Sequence, residues 1–217
     1  MLVRATMLPG ALGTIGHQFE MKLLLPPGSY EAYLFDCDGT IADSMPLHYA
    51  AWSRALGEWK CAFDEQVFYS SAGKPPSEIV AMLNKRDGLS MPVWQVAERK
   101  EQLYYELLPQ LKPVAEVLEH IEASEGRIPY AVVSGSRRDS VVASLTRLGL
   151  LSKFQALVCE GDYQNSKPHP EPFLLAARQL GVAPERCLVF EDSDLGIQAA
   201  TAAGMTSVKV QPRMLGN

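Results

Sequence analysis

The residues best placed to do chemistry lie in YLFDCDGTIADS, positions 33–44. Asp36 and Asp38 stand one residue apart there, behind an apolar run and ahead of Gly39 and Thr40. A β-strand turns alternate side chains to opposite faces, so residues i and i+2 are expected to point the same way. Two carboxylates held that close repel each other, and the pair needs a compensating cation or a shared proton. A calcium loop is the plain alternative for DCDG. It requires glycine at its sixth position and glutamate at its twelfth. Counting from Asp36 gives Ile41 and Leu47, which removes that reading.

The elements that must carry these groups alternate. EAYLFD reads as a short buried strand, followed by a helix opening at Pro46 in PLHYAAWSRALGEW. PSEIVAMLNKRD, VWQVAERKEQLYYELLPQL and VAEVLEHIEASEG carry helical spacing. From Pro129 onward strands and helices alternate: PYAVVS, SRRDSVVASLTRLGL, ALVCE, PEPFLLAARQLGV, RCLVFED, SDLGIQAATAAGM and TSVKV. That order predicts a parallel α/β sheet. The helical stretch from Pro46 to Gln110 is too long for one crossover, so it reads as an inserted subdomain. Ligands of such sheets bind beyond the carboxyl ends of the strands. Asp36, Asp38, Ser134, Glu191 and Asp192 fall at those ends, and Lys167 falls in the loop NSKPHPEP.

The bulk numbers bound the function. A chain of 217 residues suits one core with a modest insertion, and 47% hydrophobic with 21% charged residues is globular composition. A net charge of −5 argues against a nucleic-acid partner, while a few local cations still suffice to bind a small anion. Cys37, Cys61, Cys159 and Cys187 form no CxxC pair and are expected to be reduced, buried thiols of a cytoplasmic protein. Residues 1–28 read as an extension broken by Pro9, Gly10, Gly13 and Gly16, with an alternative start at Met21. No apolar run approaches the ~20 residues of a membrane span.

FDCDGT, VVSGS, SKPHPEPF and VFEDSDLGI, in that order, resemble the four motifs of the haloacid dehalogenase-like (HAD) phosphohydrolase superfamily. The resemblance covers about Tyr33 to Val210. It is finest to the branch holding β-phosphoglucomutase and the bacterial fructose-1-phosphate and 6-phosphogluconate phosphatases. There the first motif precedes a helix bearing His and Trp, as His48 and Trp52 do here. The resemblance implies an α/β, Rossmann-like parallel sheet core with an inserted helical cap. Residues 29–45 and 111–217 would form the core and residues 46–110 the cap.

It also implies roles. Asp36 would be the nucleophile, forming an aspartyl-phosphate, with Asp38 as acid and then base. Mg²⁺, a cation that prefers oxygen ligands, would be held by the Asp36 and Asp192 side chains and the Asp38 carbonyl. Glu191 would stand behind them, orienting water or Lys167. Lys167 would neutralise the phosphoryl oxygens, and Ser134 with backbone N–H groups near Gly39 and Gly135 would hydrogen-bond them. The dehalogenases of the superfamily lack the second aspartate, and Asp38 is present here.

For specificity the resemblance points to the cap loop SAGKPPSE and to the residues after the second motif. β-Phosphoglucomutase carries an arginine in that loop. This chain has Lys74 followed by Pro75 and Pro76, and lysine lacks the bidentate fork. His48 is either a packed helix residue or a partner of the acid/base aspartate, and Trp52 reads as cap packing. Arg137 or Arg138 faces the substrate or lies solvated. The expected activity is a Mg²⁺-dependent phosphatase for small sugar phosphates or phosphorylated sugar acids. A sugar-phosphate mutase and a non-catalytic binding protein are the alternatives. The expected partner is a small phosphorylated metabolite, with no nucleic acid, no membrane and a monomeric state.

Overall fold

The computed structural model describes residues 23–72 and 74–211. The expected start at Met21 and most of the expected N-terminal extension lie outside the described residues, as does Gly73 of SAGKPPSE. Five parallel strands form one sheet in the order β3-β2-β1-β4-β5: β1 (Ala32–Phe35), β2 (Tyr130–Arg137), β3 (Ala156–Glu160), β4 (Cys187–Glu191) and β5 (Thr206–Lys209). β1 lies at the centre, with Phe35 opposite Val132 of β2 and Phe190 of β4. A strand covered on both faces must be apolar throughout, which is why AYLF shows no alternation.

The two faces are buried under different helices. Phe35, Tyr130, Val132 and Phe190 pack with residues of α5 (Ala115–Ser124) and α6 (Arg138–Arg147). Leu34, Ala131, Val133 and Val189 pack against α7 (Glu171–Leu180) and α8 (Asp194–Ala202). Phe35 and Phe190 stack with centroids 4.5 Å apart. Each large apolar side chain so buried contributes about 1.5–3 kcal/mol. That anchors the strand whose end bears Asp36.

Between β1 and β2 the chain forms α1 (Met45–Gly57), α2 (Glu65–Ser70), α3 (Pro76–Asp87) and α4 (Val93–Leu107). These helices bury a cluster of their own, including Trp52, Leu56, Phe68, Val80, Leu83 and Val96. The two linkers run side by side, where Asp43 N–H donates to Lys112 O and Val114 N–H to Ile41 O, each at 2.9 Å. α2 has no counterpart in the sequence reading. Its six residues are too few to show a helical period, and Asp64 starts it by accepting from Val67 N–H at 2.8 Å. α4 stops at Leu107, before the run that includes Pro109, because proline has no N–H to continue the ladder. Among the described residues no helix is long and apolar enough to cross a membrane.

Candidate active site

The apolar β1 ends at Phe35, one residue before Asp36, so strand alternation does not set the two aspartates as expected. Asp36 N–H still donates to Phe190 O at 2.9 Å, extending the ladder by one bond. The chain then turns, with Ile41 and Ala42 N–H both donating to Cys37 O. Asp36 and Asp38 nevertheless line one cleft.

Lys167 comes from the loop after β3 and is only 2% exposed. Its Nζ donates to Asp36 Oδ1 at 2.7 Å, Glu191 Oε2 at 2.7 Å and Val133 O at 2.9 Å, which uses all three protons. Burial disfavours its ammonium form, but Asp36 and Glu191 outweigh burial and raise its pKa. The remaining oxygen of Glu191, Oε1, accepts from Ser193 N–H at 2.9 Å and Ser193 Oγ at 2.7 Å. Ser193 also caps α8 through Gly196 N–H, so a helix terminus fixes the glutamate that fixes the lysine.

Asp36, Glu191 and Asp192 present carboxylate oxygens within 4.8 Å of one another, all buried. Burial and Glu191 push the Asp36 carboxyl up to about 8, Lys167 notwithstanding. Burial, Glu191 and Asp36 raise Asp192 as well. One ammonium cannot balance three buried carboxylates, and a hard cation fits this donor set. Gly39 gives that cluster its room. Its φ is +92°, and a Cβ there would lie 2.3 Å from Asp192 Oδ2. Thr40 Oγ1 donates to Asp192 Oδ1 at 3.3 Å.

Asp38 is treated differently. Ser44 Oγ and His48 Nε2 each lie 2.8 Å from Oδ1, and Ser136 Oγ donates to Oδ2 at 2.7 Å. Burial alone would raise its pKa, but His48 and these hydrogen bonds hold it well below the ordinary carboxylate range. His48 is 5% exposed and stacked on Tyr104 at 4.0 Å between centroids. Two aspartates one residue apart are therefore driven in opposite directions by their partners.

The structure brings Ser134, Gly135, Lys74 and Trp52 to the same cleft. Ser134 Oγ accepts from Ser136 N–H at 3.0 Å, within a register shift of β2 between Val133 and Arg137. Such irregularities re-aim side chains, and this one turns Ser136 onto Asp38, a contact that the spacing alone does not signal. Gly39 N–H donates to Ala42 O at 2.8 Å. Arg137 and Arg138 are not brought to the cleft. Their guanidiniums pair with Asp139 at 3.0 Å and Asp162 at 2.6 Å near the surface, correcting the expectation that one faces the substrate. Lys100 does line the cleft, unforeseen in the sequence: it is 2% exposed, pairs with Glu101 at 2.8 Å and lies over the Trp52 and Tyr104 rings. In VWQVAERKEQ it reads as one more solvated helix lysine.

The family described as Haloacid dehalogenase-like hydrolase matches residues 33–210. The chain belongs to the haloacid dehalogenase-like hydrolase family. This HAD-like chain is 37% identical over 183 residues to "Fructose-1-phosphate phosphatase YqaB" of Escherichia coli, across 84% of this chain and 97% of that protein. It is 32% identical to "Phosphorylated carbohydrates phosphatase" of Thermotoga maritima, across 82% of this chain and 83% of that one. Among solved structures, β-phosphoglucomutase of Clostridium difficile superposes with a TM-score of 0.74 at 28% identity, across 83% of this chain and 84% of that one. Relatives named as phosphatases support a phosphoric monoester hydrolase.

Proposed function

We propose that this HAD-like hydrolase is a Mg²⁺-dependent phosphatase of small sugar phosphates or phosphorylated sugar acids. The observation that carries the reading is the placement of the two aspartates in one cleft with different partners. Asp36 is clamped by Lys167 inside a buried carboxylate cluster, while Asp38 is held ionised by His48, Ser44 and Ser136. Uncatalysed hydrolysis of phosphate monoesters is among the slowest of biological reactions, and a carboxylate nucleophile divides it into two easier steps. A carboxylate oxygen of Asp36 attacks phosphorus, and the bond from phosphorus to the sugar oxygen breaks. The proton shared between Asp38 and His48 Nε2 goes to the leaving alkoxide. Asp38 then takes a proton from the water that attacks the phospho-aspartate, releasing phosphate and restoring Asp36.

Asp36 and Asp192, with the Asp38 carbonyl, would hold Mg²⁺, which supplies charge neutralisation for the phosphoryl oxygens. Lys167 supplies a further positive charge there, and Ser134 with the Gly135 backbone supplies donors. Residues 46–110 act as a cap that excludes water from the cleft and presents His48, Lys74 and Lys100 to the leaving group. The relatives' names, two of them phosphatases of carbohydrate phosphates, support the substrate class.

The likeness to β-phosphoglucomutase keeps a mutase as the second reading. Phosphate release from a panel of sugar phosphates and phosphorylated sugar acids, with and without Mg²⁺, tests the proposal. Metal-dependent release from one or two members is expected. Conversion of β-glucose 1-phosphate to glucose 6-phosphate with a bisphosphate primer, without net phosphate release, would make the protein a mutase.

A further inference from the structure

The cleft leaves only about 60 Å³ free in this arrangement, against ~300–1,000 Å³ for ordinary ligand pockets. Movement of residues 46–110 away from the core would widen it for a sugar phosphate. Besides His48 Nε2, 2.8 Å from Asp38 Oδ1 in the cleft, two further groups of contacts hold them where they are. Near the linkers, Tyr104 hydrogen-bonds Ser144 of α6 at 2.9 Å and Arg147 donates to Pro109 O at 2.8 Å. At β3, two strands from β1 in the sheet, the first turn of α3 meets the core through a reciprocal pair of bonds. Ser77 Oγ donates to Glu160 Oε1 at 2.8 Å, and Ser166 Oγ donates to Glu78 Oε1 at 2.7 Å. Each side thus gives one serine and one glutamate.

The position of this pair bears on the reaction. Ser166 directly precedes Lys167, and Ser77 and Glu78 follow Lys74 across Pro75 and Pro76, which fix the φ angles between them. Both bonds span partly exposed groups, so they can open without unpacking a core. Both have a carboxylate acceptor, which makes them stronger than neutral bonds.

We propose that Ser77, Glu78, Glu160 and Ser166 are positioning residues: they form a clasp that closes the cap and sets the Lys74 and Lys167 loops together for turnover. The inference rests on the cap reading of residues 46–110. Loss of either bond shifts the closed-to-open ratio about ten- to a hundredfold toward open, the range for one hydrogen bond to a charged group.

The test is pulsed dipolar spectroscopy of the free protein, spin-labelled at Lys85→Cys on α3 and Arg178→Cys on α7. Both are exposed, and the four native cysteines are buried. Ser77→Ala with Ser166→Ala should add a population at longer distance, with melting behaviour unchanged, and lower kcat/KM for a hexose phosphate in step. Glu78→Ala and Glu160→Ala should open it too, whereas Glu78→Gln and Glu160→Gln keep the acceptor and should resemble the parent. An unchanged distance distribution in the double serine variant would overturn the clasp. So would Gln variants that open as far as the Ala ones. The distances need no turnover, so a clasp that fails is told apart from a parent protein that releases no phosphate.

Discussion

Replacing Lys167 with methionine removes the ammonium while keeping an unbranched side chain of similar length against the Phe173 ring, 5.1 Å from Nζ. It strips one hydrogen bond each from Asp36, Glu191 and Val133 O in a region that is nearly solvent-free. Removing one partner of a buried ion pair costs about 3–5 kcal/mol. For a domain of this size each kcal/mol moves Tm by about 2–4 °C, so Lys167→Met should melt about 6–20 °C lower at pH 8. The deficit must also depend on pH. Asp36 titrates at about 8 when folded, against ~3.9 when unfolded. Between those values the folded state holds a proton that the unfolded chain lacks, so stability falls as pH rises. Without Lys167 the Asp36 carboxyl rises further, and at pH 5.5 a bound proton takes over part of the lysine's role. Thermal unfolding by circular dichroism, without metal, at pH 5.5 and 8 measures this. The loss should be clearly larger at pH 8. A loss under 1 kcal/mol at pH 8, or an equal loss at both pH values, would refute the reasoning.

Other outcomes follow from the same geometry. Mg²⁺ must displace protons from Asp36 and Asp192, so its stabilisation, about 2.7 kcal/mol at one hundred times Kd, should grow from pH 5.5 to 8; a pH-independent thermal shift would contradict this. His48→Ala removes the group that, after burial, most affects Asp38. The Asp38 pKa then rises, so the acidic limb of the pH–rate profile should move upward with a 10- to 100-fold lower kcat, and a profile of unchanged shape would contradict this. Gly39→Ala forces a Cβ to 2.3 Å from Asp192 Oδ2 at φ +92°. It should cost about 1–3 kcal/mol and weaken Mg²⁺ binding, read by metal titration and melting.

Much of the fold was legible because its signals are local. ALVCE and PSEIVAMLNKRD coincide with β3 and α3, each bounded by residues that break the period. The groups at the strand ends were legible for the same reason. A strand that stops at a carboxylate advertises its end, and topology alone gathers such ends at one edge. What stayed hidden depends on three dimensions. Ser136 reaches Asp38 only because β2 slips register at Val133, and nothing in VVSGSRR distinguishes it from Ser134. Lys100 is buried by the Tyr104 ring one turn further along α4 and by the Trp52 ring of α1, a neighbour that its own helix does not reveal. Arg137 looked available because it follows the motif, yet an aspartate two residues on captures it. The clasp joins residues 83 and 88 positions apart, beyond any local pattern.

The central claim is that Asp36 carries the phosphoryl group, and one trapping experiment tests it most directly. The protein would be mixed with Mg²⁺ and the best sugar phosphate of the panel, acid-quenched within a turnover, reduced with borohydride and mapped by peptide mass spectrometry. Reduction converts an aspartyl-phosphate to homoserine, so the account predicts homoserine at position 36 and nowhere else, absent without substrate and absent in Asp36→Asn. Steady phosphate release with Asp36 unmodified, or homoserine at Asp38 instead, would contradict it.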